Sequence, residues 1–164
     1  MAEIMAAMTL QQALELATQH HQAGRLAEAE RLYRQILGQN PNQAQVMHWL
    51  GVLLAQTGRA NDAVQCFRRA ISIDPNQAHY FGNLGNLLRE QGDLDQSLSA
   101  CQRAVELNPD LADAQLNLGM TLQRKGQWDA AIAACQRAIQ LKPDLREAYG
   151  VLGFVLAQPS HLAA

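Results

Sequence analysis

Residues 78–111 read AHYFGNLGNLLREQGDLDQSLSACQRAVELNPDL, and the rest of the chain is a set of variations on this stretch. Sliding the sequence by 34 positions superposes Pro41, Pro75, Pro109 and Pro143. It also aligns Gly24, Gly58, Gly92 and Gly126 in one column, and Gly51, Gly85, Gly119 and Gly153 in another. A fixed period of this size marks a stacked repeat array, in which each unit buries its apolar surface against its neighbours.

Within the quoted stretch, Phe81, Leu84, Leu87 and Leu88 recur at helical spacing, which predicts an amphipathic helix over 78–91. Gly92 stands where a helix commonly stops. A second apolar stripe, Leu94, Leu98, Cys101 and Val105, predicts a helix over 94–107. Asn108-Pro109 ends it, because proline disfavours helical geometry in the residue before it. Two helices, each about 20 Å long, joined by so short a turn must be antiparallel neighbours. Gly85 and Ala104 are small where the two backbones approach. Applied along the chain, the same reading predicts helices over 10–23, 26–37, 44–57, 60–73, 78–91, 94–107, 112–125, 128–141 and 146–157.

These columns resemble the tetratricopeptide repeat, whose pattern runs aromatic, Leu-Gly, aromatic, Ala, Phe, Pro at set offsets. The second copy carries Met47, Leu50-Gly51, Leu54, Ala63, Phe67 and Pro75. The third carries Phe81, Leu84-Gly85, Leu88, Ser97, Cys101 and Pro109, and the fourth Gln115, Leu118-Gly119, Leu122, Ala131, Cys135 and Pro143. The first is looser (Ala13, Leu16-Ala17, His20, Ala29, Tyr33, Ile36, Pro41). The fifth is half present (Tyr149, Leu152-Gly153, Leu156, Pro159). The resemblance implies an all-α fold, an α-solenoid of stacked antiparallel helix pairs with about 4.5 units in a right-handed superhelix. The expected organisation is an extension over 1–9, one array over 10–157 and a tail over 158–164. The array divides into 10–43, 44–77, 78–111, 112–145 and a half repeat over 146–157. Fold alone does not give function.

Composition narrows the function. Thirteen Lys and Arg against fifteen Asp and Glu leave a net charge of −2, without the basic stripe of a nucleic-acid binder. A column of Arg69, Arg103 and Arg137 on the second helices reads as a solvated face with acidic partners, or as a phosphate- or lipid-binding ridge. MAEIMAAMT has no positively charged start and reads as a short extension packing on the first helix. No stretch approaches the ~20 apolar residues that span a bilayer, and a soluble, cytoplasmic protein is expected. Cys101 and Cys135 lie one stacking step apart, roughly 8–10 Å, too far for a disulfide. With Cys66 they read as small apolar residues in a reducing compartment.

Catalysis, cofactors and a structural metal are not expected. There is no C-x2-C pair, phosphate-binding glycine loop or Ser-His-Asp arrangement, and the GNLGN of 82–86 follows no strand. His20 is expected to pack in the core. His48 and His79, at concave positions of adjacent copies, could approach each other, with Asp113 the nearest further ligand.

By the resemblance, binding belongs to the concave face of the first helices. Its groove carries Gln45, His48, Trp49 and Val52 in the second copy, and His79, Asn83, Asn86, Arg89 and Glu90 in the third. The fourth adds Asp113, Asn117, Met120, Gln123 and Arg124. Asn83 and Asn117 are equivalent, and a primary amide can pair with a peptide bond whatever the side chain beside it. Such a row resembles the asparagine ladder in the repeat region of bacterial proteins like the O-linked N-acetylglucosamine transferases, and GRLAEAERLYRQIL over 24–37 resembles a repeat region that precedes a glycosyltransferase domain. The same asparagines could merely solvate the groove. A carboxylate clamp of the co-chaperone kind is not expected. Its positions hold His48, Val52, Asn83, Asp113 and Asn117, or Gly82, Asn86, Asn117, Glu147 and Val151, without the cations that bind a terminal carboxylate.

The last predicted helix carries Tyr149, Val151, Phe154 and Val155 around most of its circumference, which suggests self-association or a longer protein with a glycosyltransferase-type domain. The expected function is therefore a protein-interaction module, adaptor or scaffold, that binds an extended peptide or protein segment.

Overall fold

The computed structural model describes residues 9–158. The expected extension and tail therefore fall outside the described residues, except for Thr9 and Gln158. Among the described residues there are nine helices and no strand. These residues divide into two compact units between Pro75 and Asn76.

The first unit contains α1 (Leu10–Gln22), α2 (Leu26–Gln39), α3 (Ala44–Gln56) and α4 (Ala60–Ile73). Thr9 starts α1 with a reciprocal cap: its hydroxyl accepts from the Gln12 amide at 3.2 Å, and Gln12 Oε1 accepts from the Thr9 amide at 2.9 Å. The helices pack as the pairs α1/α2 and α3/α4, and α1 also touches α3. The predicted stop of α2 at residue 37 is two residues short. Gly38 continues the helix, which ends at Asn40 before Pro41, as the other second helices end before their prolines.

Gly51 brings α3 onto α4: a Cβ there would meet the Phe67 ring at 2.8 Å. Phe67, Tyr33, Leu53 and Leu54 are fully buried around it. Glu30 on α2 is tied to the turn before α4: its carboxylate receives Arg59 at 2.9 and 2.5 Å, and Arg34 at 2.9 Å. The Arg59 hydrogen bond, joined by Arg34, outweighs partial burial and holds the Glu30 carboxyl at about 2.

The second unit contains α5 (Ala78–Gln91), α6 (Leu94–Leu107), α7 (Ala112–Arg124), α8 (Trp128–Leu141) and α9 (Arg146–Leu156). Pairs α5/α6 and α7/α8 form hairpins, α9 packs on α8, and α5, α7 and α9 touch in sequence along one face. The turn glycines Gly24, Gly58, Gly92 and Gly126 all have positive φ, at 73, 77, 86 and 71°, which accounts for their column. Gly85 and Gly119 do the work of Gly51 with a different partner. A Cβ on either would lie 2.5 Å from a cysteine sulfur, Cys101 or Cys135.

All three cysteines are free. Burial pushes the Cys135 thiol up to about 11, and burial likewise raises Cys101 and Cys66, so these are unreactive packing groups. Ser97, where the neighbouring copies have Ala63 and Ala131, is completely buried. Its hydroxyl donates to the Gly85 carbonyl at 2.8 Å and lies 2.9 Å from the Thr121 hydroxyl, which donates to the Asn117 carbonyl at 2.8 Å. The substitution is tolerated because a buried hydroxyl with a partner loses little.

Candidate functional site

First helices set side by side leave a furrow wherever the side chains between them are short or turn away. In the first unit that furrow is a hollow of about 580 Å3 between α1 and α3. Gln45 and Trp49, both expected on the concave face, line it together with Gln11, Gln22 and Gln43. Leu10, Leu14 and Val46 supply the apolar part of its wall. The Trp49 ring is held edge-on by His21, with ring centres 6.3 Å apart, while His21 Nε2 reaches Gln56 Oε1 at 2.8 Å.

His48 is a correction. It is 4% exposed and packs 5.6 Å from the Phe67 ring and 5.4 Å from Trp49, so it belongs to the core and not to the groove. Its equivalents one and two repeats on are Gly82 and Leu116, both buried, and that column is the signal that the concave assignment overlooked. His20, expected in the core, is half-buried and accepts a hydrogen bond from Arg25 Nε at 2.8 Å through Nδ1.

The second unit has a hollow of about 540 Å3 formed by α5, α7 and the start of α9. Asn83, Asn86, Asp113, Asn117 and Met120, chosen from sequence, all line it. Leu116 and Leu145, 8% and 7% exposed, form its apolar floor. Lys142 and Asp144 from the α8–α9 turn, and Glu147 from the first turn of α9, complete the wall. The turn residues escape a column-by-column reading of first helices, because they do not belong to a first helix.

The amides are partly engaged by the fold. Asn117 Nδ2 donates to the Gly82 carbonyl at 3.2 Å, bridging α7 to α5. Asn86 donates to Glu90 Oε1 at 3.0 Å and accepts from Arg89 Nη2 at 2.7 Å. Arg124 Nη1 donates to the Arg89 carbonyl at 3.1 Å, a favourable place for a cation at the C-terminus of α5. Arg124 thus ties α7 to α5 and the Arg89 side chain is engaged within α5, and neither lines the hollow. Neither does His79, which is exposed and stands edge-on to Tyr80 at 4.5 Å.

On α9, Tyr149 and Phe154 are 50% and 53% exposed. Val151 and Val155 correct the sequence reading: at 6% and 0% exposure they pack into the core with Leu122, Ala131 and Cys135, out of reach of another molecule. The arginine column is paired along the chain. Arg137 reaches Asp110 at 2.5 Å, Arg103 reaches Glu106 at 3.0 Å, and Arg69 reaches Asn42 at 3.1 Å. Among the described residues no helix is long and apolar enough to cross a membrane.

The similarities to known proteins concern the repeat itself. Similar solved structures include MamA, at 27% identity over 88% of this chain and 85% of that one, with a TM-score of 0.80. MamA from Desulfovibrio magneticus RS-1 superposes with a TM-score of 0.82 at 22% identity, covering 93% of this chain and 86% of that one. YrrB, described as a TPR protein with an unusual peptide-binding site, superposes with a TM-score of 0.77 at 22% identity, over 91% and 77% of the two chains. A comparison with curated protein sequences finds no match. Two family models, both of the tetratricopeptide repeat, match residues 20–86 and 83–145. Together these two matches take in residues 20–145, most of the chain, and the protein belongs to the tetratricopeptide repeat family.

Proposed function

We propose that the chain is a protein-interaction module, an adaptor or scaffold, that holds an extended segment of a partner protein in the hollow of its second unit. One observation carries this reading. Five side chains selected for peptide contact, Asn83, Asn86, Asp113, Asn117 and Met120, border a single cavity of about 540 Å3. A cavity with a small apolar floor and amides on its walls suits a strand of peptide, whose backbone needs both donors and acceptors. The peptide-binding site named for YrrB supports the class of ligand. The hollow beside Trp49 in the first unit offers a second contact surface of the same kind.

The test is the double variant Asn83→Ala/Asn117→Ala, assayed by calorimetry against any partner recovered by affinity capture with the wild-type chain. Binding should fall by about tenfold or more, since each lost amide contact contributes roughly 0.5–1.5 kcal/mol. Undiminished binding in a folded double variant removes the groove as the contact surface.

A second reading, self-association through α9, is favoured by the exposure of Tyr149, Phe154 and Leu156, at 50, 53 and 54%. Apolar surface gathered on one helix is uncommon unless something covers it. Phe154→Glu abolishes a concentration-dependent dimer in sedimentation if this reading holds. A monomer at every wild-type concentration ends it.

A further inference from the structure

Several acidic residues of the second unit are ion-paired, while those on the hollow are not. On the outer surfaces Asp110 is paired with Arg137, Glu106 with Arg103, and Asp95 with Lys125. The three carboxylates on the wall of the hollow, Asp113, Asp144 and Glu147, have no side-chain partner among the described residues. They face a cavity whose lining holds a single cation, Lys142. Of the nearby guanidinium groups, neither of which lines the cavity, Arg89 holds Asn86 and lies 3.8 Å from Glu90 with its Nε left without a hydrogen bond, and Arg124 holds the α5 C-terminus.

The hydrogen-bonding atoms lean the same way. Asn117 has given one of its two amide N–H donors to Gly82 and keeps the other with its Oδ1, whereas the carboxylates are acceptors only. The hollow therefore presents oxygen atoms and negative charge above the apolar floor of Leu116 and Leu145.

We infer that the segment bound in the second unit is cationic: an extended peptide that sets Lys or Arg side chains among Asp113, Asp144 and Glu147. This rests on the peptide-binding reading above and adds the chemistry of the partner. An acidic segment would bring like charges together, whereas a cationic one matches both the charge and the surplus of acceptors. Because these carboxylates are exposed, their effect falls mainly on association rate and salt dependence.

The probes are three pools of fluorescent ten-residue peptides with small residues between alternating Lys/Arg, Asp/Glu or Ser/Gln positions. Each is titrated into the full chain by anisotropy at low salt, and the side-chain amide signals of Asn83 and Asn117 are followed by NMR. The Lys/Arg pool should bind at least tenfold tighter than the Asp/Glu pool and shift those amide signals. The variant Asp144→Lys/Glu147→Lys should remove most of that preference, on the order of tenfold. Glu106→Lys, which makes the same kind of charge reversal outside the hollow, should leave it in place.

If the Ser/Gln or Asp/Glu pool shifts the amides as strongly as the Lys/Arg pool, the inference is overturned while the peptide-binding reading stands. An equal loss of preference in Glu106→Lys also overturns it, by showing that net charge alone attracts the peptides. If no pool moves either amide signal, both the inference and the reading beneath it fail.

Discussion

The hollow between α1 and α3 and the hollow between α5 and α7 arise from the same helix-pair arrangement, yet they present different chemistry. The first has four glutamines and an indole on its walls, with Glu15 its one acidic residue. The second has three asparagines, three carboxylates and a lysine. The columns that build the scaffold hardly change between copies: Gly51, Gly85 and Gly119 all sit against a neighbouring helix. The columns that border the hollows change more: Gln45 and Asp113 share one, and Trp49, Asn83 and Asn117 share another. In these columns the constant positions are the ones where two helices meet, and the variable ones border the hollows. Each class of residue can be perturbed to test that division.

The largest effect is expected at the shared scaffold. Gly119→Val places a side chain 2.5 Å from Cys135 Sγ and 3.4 Å from the Ala131 carbonyl, so α7 and α8 must separate. The cost is about 3 kcal/mol, the upper part of the range for overpacking a core. Hydrogen exchange should show the loss of protection centred on α7 and α8. If α7 and α8 keep full protection, the glycine column is not what brings the helices together.

A smaller effect distinguishes the first unit by pH. Glu30 has a folded value of about 2 against an ordinary 4.5, chiefly because Arg59 hydrogen-bonds to it. A depressed carboxylate adds stability above its unfolded value, and that stability disappears as pH falls from 4.5 toward 2. Glu30→Gln should remove about 2 kcal/mol near neutral pH and flatten the acid limb of the stability curve. An acid limb identical to wild type in the variant would refute the assignment.

Next in size is Asn117→Ala, which leaves the Gly82 carbonyl without its 3.2 Å donor. Stability should drop by about 1 kcal/mol in urea unfolding, in addition to any loss of binding. A drop in binding alone would mean that the amide contributes nothing to the contact between α5 and α7.

The helix-pair pattern was legible because its causes are local and recur at every period. A turn glycine at positive φ and a proline after each second helix set the boundaries to within two residues. The side chains lining each hollow were legible only where they belong to a helix column. Asp144 and Leu145 come from a turn, whose placement depends on how α9 packs back onto α8. The burial of His48 could have been read from its column, since the equivalent residues are a glycine, Gly82, and an apolar Leu116, both buried. Val155 likewise shares a column with the buried Leu53, Leu87 and Thr121. Val151 is harder. Its column holds Trp49, Asn83 and Asn117, which face the hollows, whereas Val151 packs into the core from the middle of α9.

The smallest expected effect concerns that difference. Gly153 occupies the same column as Gly85 and Gly119, but a Cβ there meets nothing within 4 Å. If the column is glycine because a second helix presses against it, then Gly153 has lost that reason among the described residues. Gly153→Ala should therefore raise stability by about 0.5–1 kcal/mol through helix propensity alone, while the same change at Gly85 should lower it. The opposite signs are more telling than the magnitudes, because propensity is common to both sites and only the facing helix differs. A matching loss at Gly153 would mean that this face of α9 is covered after all, by a second copy or by chain outside the described residues. Repeating the measurement at several protein concentrations separates those two coverings, since only the first depends on concentration.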